Sequence, residues 1–163
     1  MRKRRDCYKA LLFDLCGTVM PYETKRLPIA TLRGHEIRTT TPILYSLFSE
    51  YHQAIPYERF HDLFVETTEK VAALRAVEER EITSDVRFNF FLDLLGIKDY
   101  ARQEICRRLK TTHLDCISAC LTLPEANRNL LMALKERHKI GLVTNFDDTD
   151  TVYRVLEREG ILN

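Results

Sequence analysis

The stretch "KALLFDLCGTVM" (residues 9–20) contains the feature that decides the fold of this 163-residue chain. Four apolar residues, "ALLF" (10–13), lead into Asp14 and a Gly17–Thr18 turn. A short apolar run that ends in a polar turn is typical of a strand covered on both faces in a parallel sheet. The carboxyl ends of such strands border the crevice where open α/β sheets bind ligands. We therefore expect Asp14 to face a ligand site, with Cys16 two residues further along.

A second apolar run, "KIGLVTN" (139–145), ends in the same way, in small polar residues. Between the two runs, apolar residues recur with a helical period, which predicts an all-helical block over residues 42–120. Residues 20–41 mix Pro, Gly, Thr and charged residues without a sustained period, and we expect them to form a loop or a short flap. The pattern predicts an α/β fold in which two parallel strands are linked by a long helical excursion.

Six helices are expected, each from its apolar period and its end signals. The first helix is predicted to start at Thr41–Pro42, the second to span residues 57–79, and the third to be capped by Ser84 and to end at Gly96. The fourth spans residues 99–120, and the fifth starts at Pro124. The sixth is capped by Asp147 and Asp148 and stops at Gly160. Two strands alone would form a small sheet with an exposed edge.

Composition and charge exclude several classes of protein. The chain is 45% apolar and 30% charged, a globular composition, and its net charge of +1 gives no attraction to nucleic acid or anionic membrane. The basic start "MRKRR" is not followed by an apolar segment, so no signal peptide is predicted. No apolar run reaches the roughly 20 residues of a membrane span.

Cysteine usage predicts a reducing, cytoplasmic environment. The chain has five cysteines, an odd number, without a secretory signal, which favours free thiols over a disulfide framework. His113, Cys116 and Cys120 share one helical face, but this group lacks a fourth ligand and a C-x-x-C pair. We interpret these residues as small buried side chains rather than a zinc site.

The residues at the two strand ends suit the chemistry of anionic groups. Asp14 can act as a nucleophile, Gly17 allows a turn tight enough to direct N–H groups at an anion, and Thr18 can orient the loop. Thr144 and Asn145 offer a hydroxyl and an amide that can hold phosphoryl or carboxylate oxygens. The combination predicts a nucleophile and an oxyanion binder at one point.

Two motifs in this order resemble a known family. "FDLCGT" (13–18) followed by "GLVTNFDD" (141–148) resembles the first and second motifs of the haloacid dehalogenase-like (HAD) hydrolase superfamily. The intervening helical block looks like that family's C1-type cap, and "REITSDVRFNFFLDLLGI" (80–97) resembles the later part of such a cap. The resemblance implies a partial Rossmann-like core, residues 1–20 and 121–163, with residues 21–120 as flap loop and cap.

The resemblance also implies roles for individual residues. Asp14 matches the nucleophile that forms an aspartyl intermediate, and Thr144 and Asn145 match the second motif, which binds the transferring group. In phosphatase members, Mg²⁺ is held by the first aspartate and by a backbone carbonyl two residues on. The implied magnesium ligands here are the Asp14 carboxylate and the Cys16 carbonyl.

Two departures from the family pattern leave alternatives open. Most phosphatase members carry an acid–base aspartate where this chain has Cys16, and the third and fourth motifs, a lysine and an acidic pair, have no match before Asn163. We therefore interpret the chain as the N-terminal part of a hydrolase, completed by self-association or by a complementing C-terminal segment. The first expectation is a magnesium-dependent phosphatase of a small phosphorylated metabolite. A metal-free dehalogenase-type hydrolase and a non-catalytic truncated module are the alternatives.

Overall fold

A computed structural model of the chain describes residues 8–52, 55–98 and 100–162. The protein has a mixed α/β structure, and the described residues contain six helices and two small sheets. The elements in chain order are β1 (Ala10–Asp14), a 3-10 turn (Thr24–Arg26), β2 (Ile29–Leu32), β3 (His35–Arg38), α1 (Thr41–Phe48), α2 (Tyr57–Glu78), α3 (Ser84–Leu94), α4 (Arg102–Ala119), α5 (Glu125–Lys135), β4 (Lys139–Val143) and α6 (Thr149–Arg158). Three features named above lie outside the described residues: the basic start "MRKRR", Cys7, and the predicted helix start at Asp99.

The two strands predicted from apolar runs are neighbours and run parallel. β1 pairs with β4 in a register that joins Ala10 to Lys139 and Asp14 to Val143. The strands are therefore linked by the long helical excursion that the sequence predicts. The described part of this sheet has two strands, so it is as small as the sequence predicts.

The prediction that β1 is covered on both faces is wrong. Leu12 is 71% exposed on one face of the sheet, and Val143 is 58% exposed. The opposite face carries Phe13 and Leu142, which pack on a buried cluster that includes Val155 of α6. The apolar run is thus half-buried, because α6 packs on the other side of the sheet.

Residues 20–41 contain a β-hairpin, where the sequence predicted a loop or flap. β2 and β3 pair antiparallel, and the two residues between them, Arg33 and Gly34, have φ angles of 50° and 82°. Positive φ at both central residues is characteristic of the turns that match the twist of a two-residue hairpin. Ala30 and Leu32 are buried, while the residues that alternate with them are exposed.

Two hydrophobic clusters stabilise the molecule. The larger cluster joins α1, α2 and α3 through aromatic rings and α4 through aliphatic side chains. Phe91 lies edge-on to Phe60 with centroids 4.9 Å apart. The smaller cluster lies beneath the loop that follows β1 and includes Leu15, Met20 and Leu156. Burial of this apolar surface is the main favourable contribution to folding.

The helical excursion leaves and rejoins the two-stranded sheet at neighbouring points. Tyr22 forms an isolated bridge with Leu121, and the N–H of Glu23 donates to the carbonyl of Cys120 at 2.8 Å. The side chain of Thr122 adds a hydrogen bond to Glu23 at 3.2 Å. The segment between these contacts carries the hairpin and helices α1 to α4.

Candidate functional site

The candidate nucleophile and the candidate oxyanion binder follow adjacent strands. Asp14 is the last residue of β1 and is paired with Val143, the last residue of β4. Thr144 and Asn145 therefore lie at the same end of the sheet as Asp14, where the carboxyl ends of the strands meet. The parallel pairing places the two predicted groups at the carboxyl ends of neighbouring strands.

The loop after Asp14 is closed by its own backbone. The N–H of Met20 donates to the carbonyl of Leu15 at 2.8 Å, and the N–H of Val19 donates to the carbonyl of Asp14 at 3.3 Å. Gly17 has a φ of 83° and donates its N–H to the carbonyl of Met20 at 2.8 Å. Gly17 thus provides the predicted tight turn, but its N–H is used within the loop rather than directed at a ligand.

Thr18 fixes the orientation of the candidate nucleophile. Its hydroxyl donates to Oδ2 of Asp14 at 2.9 Å. Both residues are exposed, and Oδ1 accepts no hydrogen bond from the described residues. One carboxylate oxygen is therefore held and the other is accessible to a substrate.

Cys16 links the two strand ends through its side chain. Burial raises the pKa of its thiol, a hydrogen bond with the Thr144 side chain acts in the opposite direction, and the charge of Asp14 raises the pKa again. The thiol is therefore neutral at pH 7 and is a weak general base. Thr144 also accepts a hydrogen bond from the N–H of Phe146 at 3.3 Å, which orders the turn after β4.

A cleft of about 230 Å³ opens between the strand ends and the helices of the excursion. Cys16 and Asn145 contribute to it from the strand ends, and Arg75 of α2, Arg87 of α3 and His113 of α4 from the helices. The remaining lining residues are Leu114, Ile117, Phe146 and Asp147. Asp14 does not line this cleft, so the cleft adjoins the nucleophile loop through Cys16.

Asp147 holds the two arginines in place. Its carboxylate lies 3.3 Å from Arg87 and 3.6 Å from Arg75, and Oδ1 accepts a hydrogen bond from the hydroxyl of Ser84 at 2.9 Å. Asp147 and Ser84 were both predicted to cap helices, and both predictions are wrong. Asp148 caps α6 instead, accepting from the N–H of Thr151 at 3.0 Å, which confirms the other half of that prediction.

His113 is held in the neutral state. Burial lowers the pKa of its imidazole to about 3, and the neighbouring Arg87 acts in the same direction. Its Nδ1 shares a hydrogen bond of 2.8 Å with the hydroxyl of Thr40. Cys120 donates its thiol to the carbonyl of Cys116 at 3.3 Å, and no three potential metal-ligating side chains converge within the described ranges. His113 and Cys120 are buried, and Cys116 is partly buried.

The residues of the loop fit part of the coordination sphere of a hard cation. Oδ2 of Asp14 keeps a lone pair beside the hydrogen bond from Thr18, and the Cys16 carbonyl accepts no hydrogen bond from the part of the chain that the structure describes. Mg²⁺ in proteins is held by one or two protein oxygens, with water and substrate phosphate as the other ligands. The implied pair of ligands is therefore chemically suitable for Mg²⁺.

A larger cavity than the strand-end cleft lies elsewhere. A groove of about 650 Å³ runs beside β4, between α5 and α6, and is lined mainly by apolar side chains such as Leu131, Leu156 and Ile161. None of the predicted site residues lines this groove. The candidate site is therefore placed at the strand ends on the basis of its chemistry rather than its volume.

Neither a protein-family model nor a curated protein sequence matches this chain significantly. Among the described residues, no helix is both long enough and apolar enough to cross a membrane.

Proposed function

We propose that the protein is a HAD-like hydrolase that uses Asp14 as a nucleophile toward a small phosphorylated metabolite. The observation that carries the proposal is the pairing of Asp14 with Val143. Because of this pairing, Asp14 and Thr144 lie at the carboxyl ends of two neighbouring parallel strands. Covalent phosphoryl transfer requires a nucleophile and a group that binds the phosphoryl oxygens, and a hydroxyl can be that group. The resemblance of "FDLCGT" and "GLVTNFDD" to the family motifs supports the same reaction.

In the proposed reaction, Oδ1 of Asp14 attacks phosphorus, the bond to the alcohol oxygen breaks, and the leaving oxygen takes its proton from water. The carboxylate becomes an acyl phosphate, and water then hydrolyses this intermediate to release inorganic phosphate and restore Asp14. Thr18 keeps Oδ2 turned away from the substrate, and Thr144 donates to a phosphoryl oxygen. Mg²⁺ bound by the Asp14 carboxylate and the Cys16 carbonyl would neutralise charge on the phosphoryl group.

We propose that residues 21–120 act as the flap and cap over this core. The cleft supports this assignment, because α2, α3 and α4 contribute Arg75, Arg87 and His113 to the space beside the strand ends. Closure of such a unit excludes water and selects the substrate.

A dehalogenase-type reaction is a second candidate, favoured by Cys16. Phosphate ester hydrolysis needs a proton for its leaving alcohol, whereas a halide leaves without one. A partly buried, neutral thiol at the usual position of the acid–base aspartate is compatible with halide displacement by Asp14.

The test is an activity panel on the full chain. Phosphomonoesters are assayed for phosphate release with Mg²⁺ and with EDTA, and 2-haloacids are assayed for halide release. Asp14→Asn is expected to abolish turnover, and Asp115→Asn, an exposed residue of α4, is the matched control. Mass spectrometry after acid quench should find one phosphoryl group on the peptide that contains Asp14. Turnover that survives in Asp14→Asn would refute the nucleophile, and the absence of turnover on every substrate would favour the non-catalytic alternative.

A further inference from the structure

The lining of the strand-end cleft carries an excess of positive charge. Arg75 and Arg87 line it together with a single carboxylate, that of Asp147, and the His113 ring is neutral. Glu81 also pairs with Arg75, at 2.8 Å, but does not line the cleft. The lining thus presents two full positive charges and one negative charge to a ligand.

Arg87, whose side chain is only 14% exposed, shares the carboxylate of Asp147 with Arg75. It also donates a hydrogen bond of 3.3 Å to the Ser84 hydroxyl. Burial lowers the pKa of its guanidinium, Asp147 raises it, and Arg75 lowers it again. Its Nε donates to no acceptor within the described ranges. A buried charge of this kind is costly unless a counter-charge and hydrogen bonds compensate it, and an oxyanion provides both.

The other polar groups of the cleft are suited to the same ligand. The Asn145 amide and the neutral Cys16 thiol can both donate hydrogen bonds, and the only carboxylate, Asp147, is already engaged by Ser84 and by Arg87. The volume, about 230 Å³, is below the roughly 300–1,000 Å³ of typical small-molecule sites. The cleft therefore fits one end of a metabolite rather than the whole molecule.

We propose that the cleft between Arg75 and Arg87 binds a second oxyanion group, a carboxylate or phosphoryl group, of the substrate. This inference rests on the proposed function, in which the first phosphoryl group of the same molecule meets Asp14. Cys16 and Asn145 border both places, so a substrate of two anionic ends bridges them. The substrate class is accordingly a small phosphate ester with a second anionic group.

The test is a binding titration that does not depend on turnover. The full chain is titrated in EDTA with malonate and, separately, with inorganic phosphate, and the ¹H–¹⁵N resonances of the arginine Nε–H groups are followed. We expect a saturable shift with at least one probe, and the tighter probe identifies the second group as carboxylate or phosphoryl. Arg87→Gln should weaken this binding at least tenfold. The control Arg154→Gln, which removes an exposed partner of Asp115, should leave it unchanged.

A second variant predicts a change of the opposite sign. Asp147→Asn removes the only negative charge of the lining while its amide can still accept from Ser84, so it should tighten binding severalfold. If the arginines served only to hold the fold, this substitution would weaken binding or leave it unchanged. Thermal unfolding verifies that each variant is folded. If Arg87→Gln or Asp147→Asn is unfolded, Arg75→Gln, at a side chain that is 35% exposed, takes its place and should weaken binding.

Two outcomes would overturn the proposal: no saturable shift with either probe, or undiminished affinity in a folded Arg87→Gln variant. The Asp14→Asn variant distinguishes failure of the proposed hydrolase from failure of the proposed second subsite, because it should bind the probes as the original chain does. Turnover that persists in Asp14→Asn refutes the hydrolase alone. Loss of turnover in Asp14→Asn, with no binding at the cleft, refutes the second subsite alone.

Discussion

The hydroxyl of Thr18 donates a hydrogen bond of 2.9 Å to Oδ2 of Asp14 and leaves Oδ1 of the same carboxylate accessible. Thr18→Val removes the donor while it preserves the size of the side chain. We expect kcat to fall by about 10- to 100-fold, because the nucleophile loses its orientation. Stability should change by less than about 1 kcal/mol, since the bond is exposed. Thr18→Ser is the control and should retain most activity; equal kcat values for the two variants would contradict the orienting role.

Gly17 and Gly34 have nearly equal φ angles, 83° and 82°, but lie in different loops. A Cβ atom at either position would meet no atom within 4 Å, so substitution by Ala costs only the strain of a left-handed backbone. This strain is about 1–2 kcal/mol, and urea unfolding should show a similar loss for both variants. Only Gly17→Ala should also lower kcat, because its loop carries Asp14. A similar loss of kcat in Gly34→Ala would contradict this local effect.

Asp147 joins the turn after β4 to the first turn of α3. Its side chain is 10% exposed, and Asp147→Ala would leave the guanidinium of Arg87 buried without its carboxylate. We expect the free energy of unfolding to fall by about 3 kcal/mol. Asp115→Ala is the matched control, because the Arg154–Asp115 pair is 3.2 Å long but more than half exposed. Its effect should be below about 1 kcal/mol. Equal effects of the two substitutions in urea unfolding would show that burial at Asp147 adds nothing.

His113 should make the protein less stable in mild acid. Burial lowers the pKa of the folded-state imidazole to about 3, whereas the unfolded chain binds a proton below its ordinary value of 6.5. The contribution of neutral His113 is therefore complete above pH 6.5 and is lost as the pH falls toward 3. Its slope approaches about 1.4 kcal/mol per pH unit, and the lowered pKa of His61 acts in the same direction.

His113→Gln removes this titration, so its free energy of unfolding should fall less steeply than that of the original chain between about pH 6 and pH 4. His35→Gln, in the exposed part of β3, is the control for the loss of a histidine. Urea unfolding at several pH values measures the slopes. The same slope in His113→Gln and in the original chain would refute the assignment.

The strands and helices with strong periodicity were predictable from the sequence. The pairing of β1 with β4 follows from two apolar runs that end in polar turns, and this pairing alone predicts that Asp14 and Thr144 lie at one edge. The hairpin was missed because β2 and β3 have four residues each and lie in a segment rich in loop-forming residues. Its signals were the β-branched residues Ile29 and Thr31 in "IATL" and the Arg33–Gly34 turn.

The cleft could not be predicted from sequence spacing. Arg75 and Arg87 belong to different helices, and their approach to Asp147 depends on how α2 and α3 pack against the turn after β4. Adjacent aspartates also have different roles here: Asp148 caps α6, and Asp147 holds the arginines. The sequence offers both residues as caps, and only the direction of the backbone at this turn separates them.

The contacts between Tyr22 and Leu121 and between Glu23 and Cys120 have an evolutionary consequence. Since the hairpin and helices α1 to α4 depart and return at one place, they form a unit that insertion, deletion or recombination can exchange as a whole. Such an exchange leaves the parallel register of β1 and β4 intact, and with it the positions of Asp14 and Thr144. Under the proposed function, such an exchange would replace the arginines of the cleft and leave the proposed nucleophile in place.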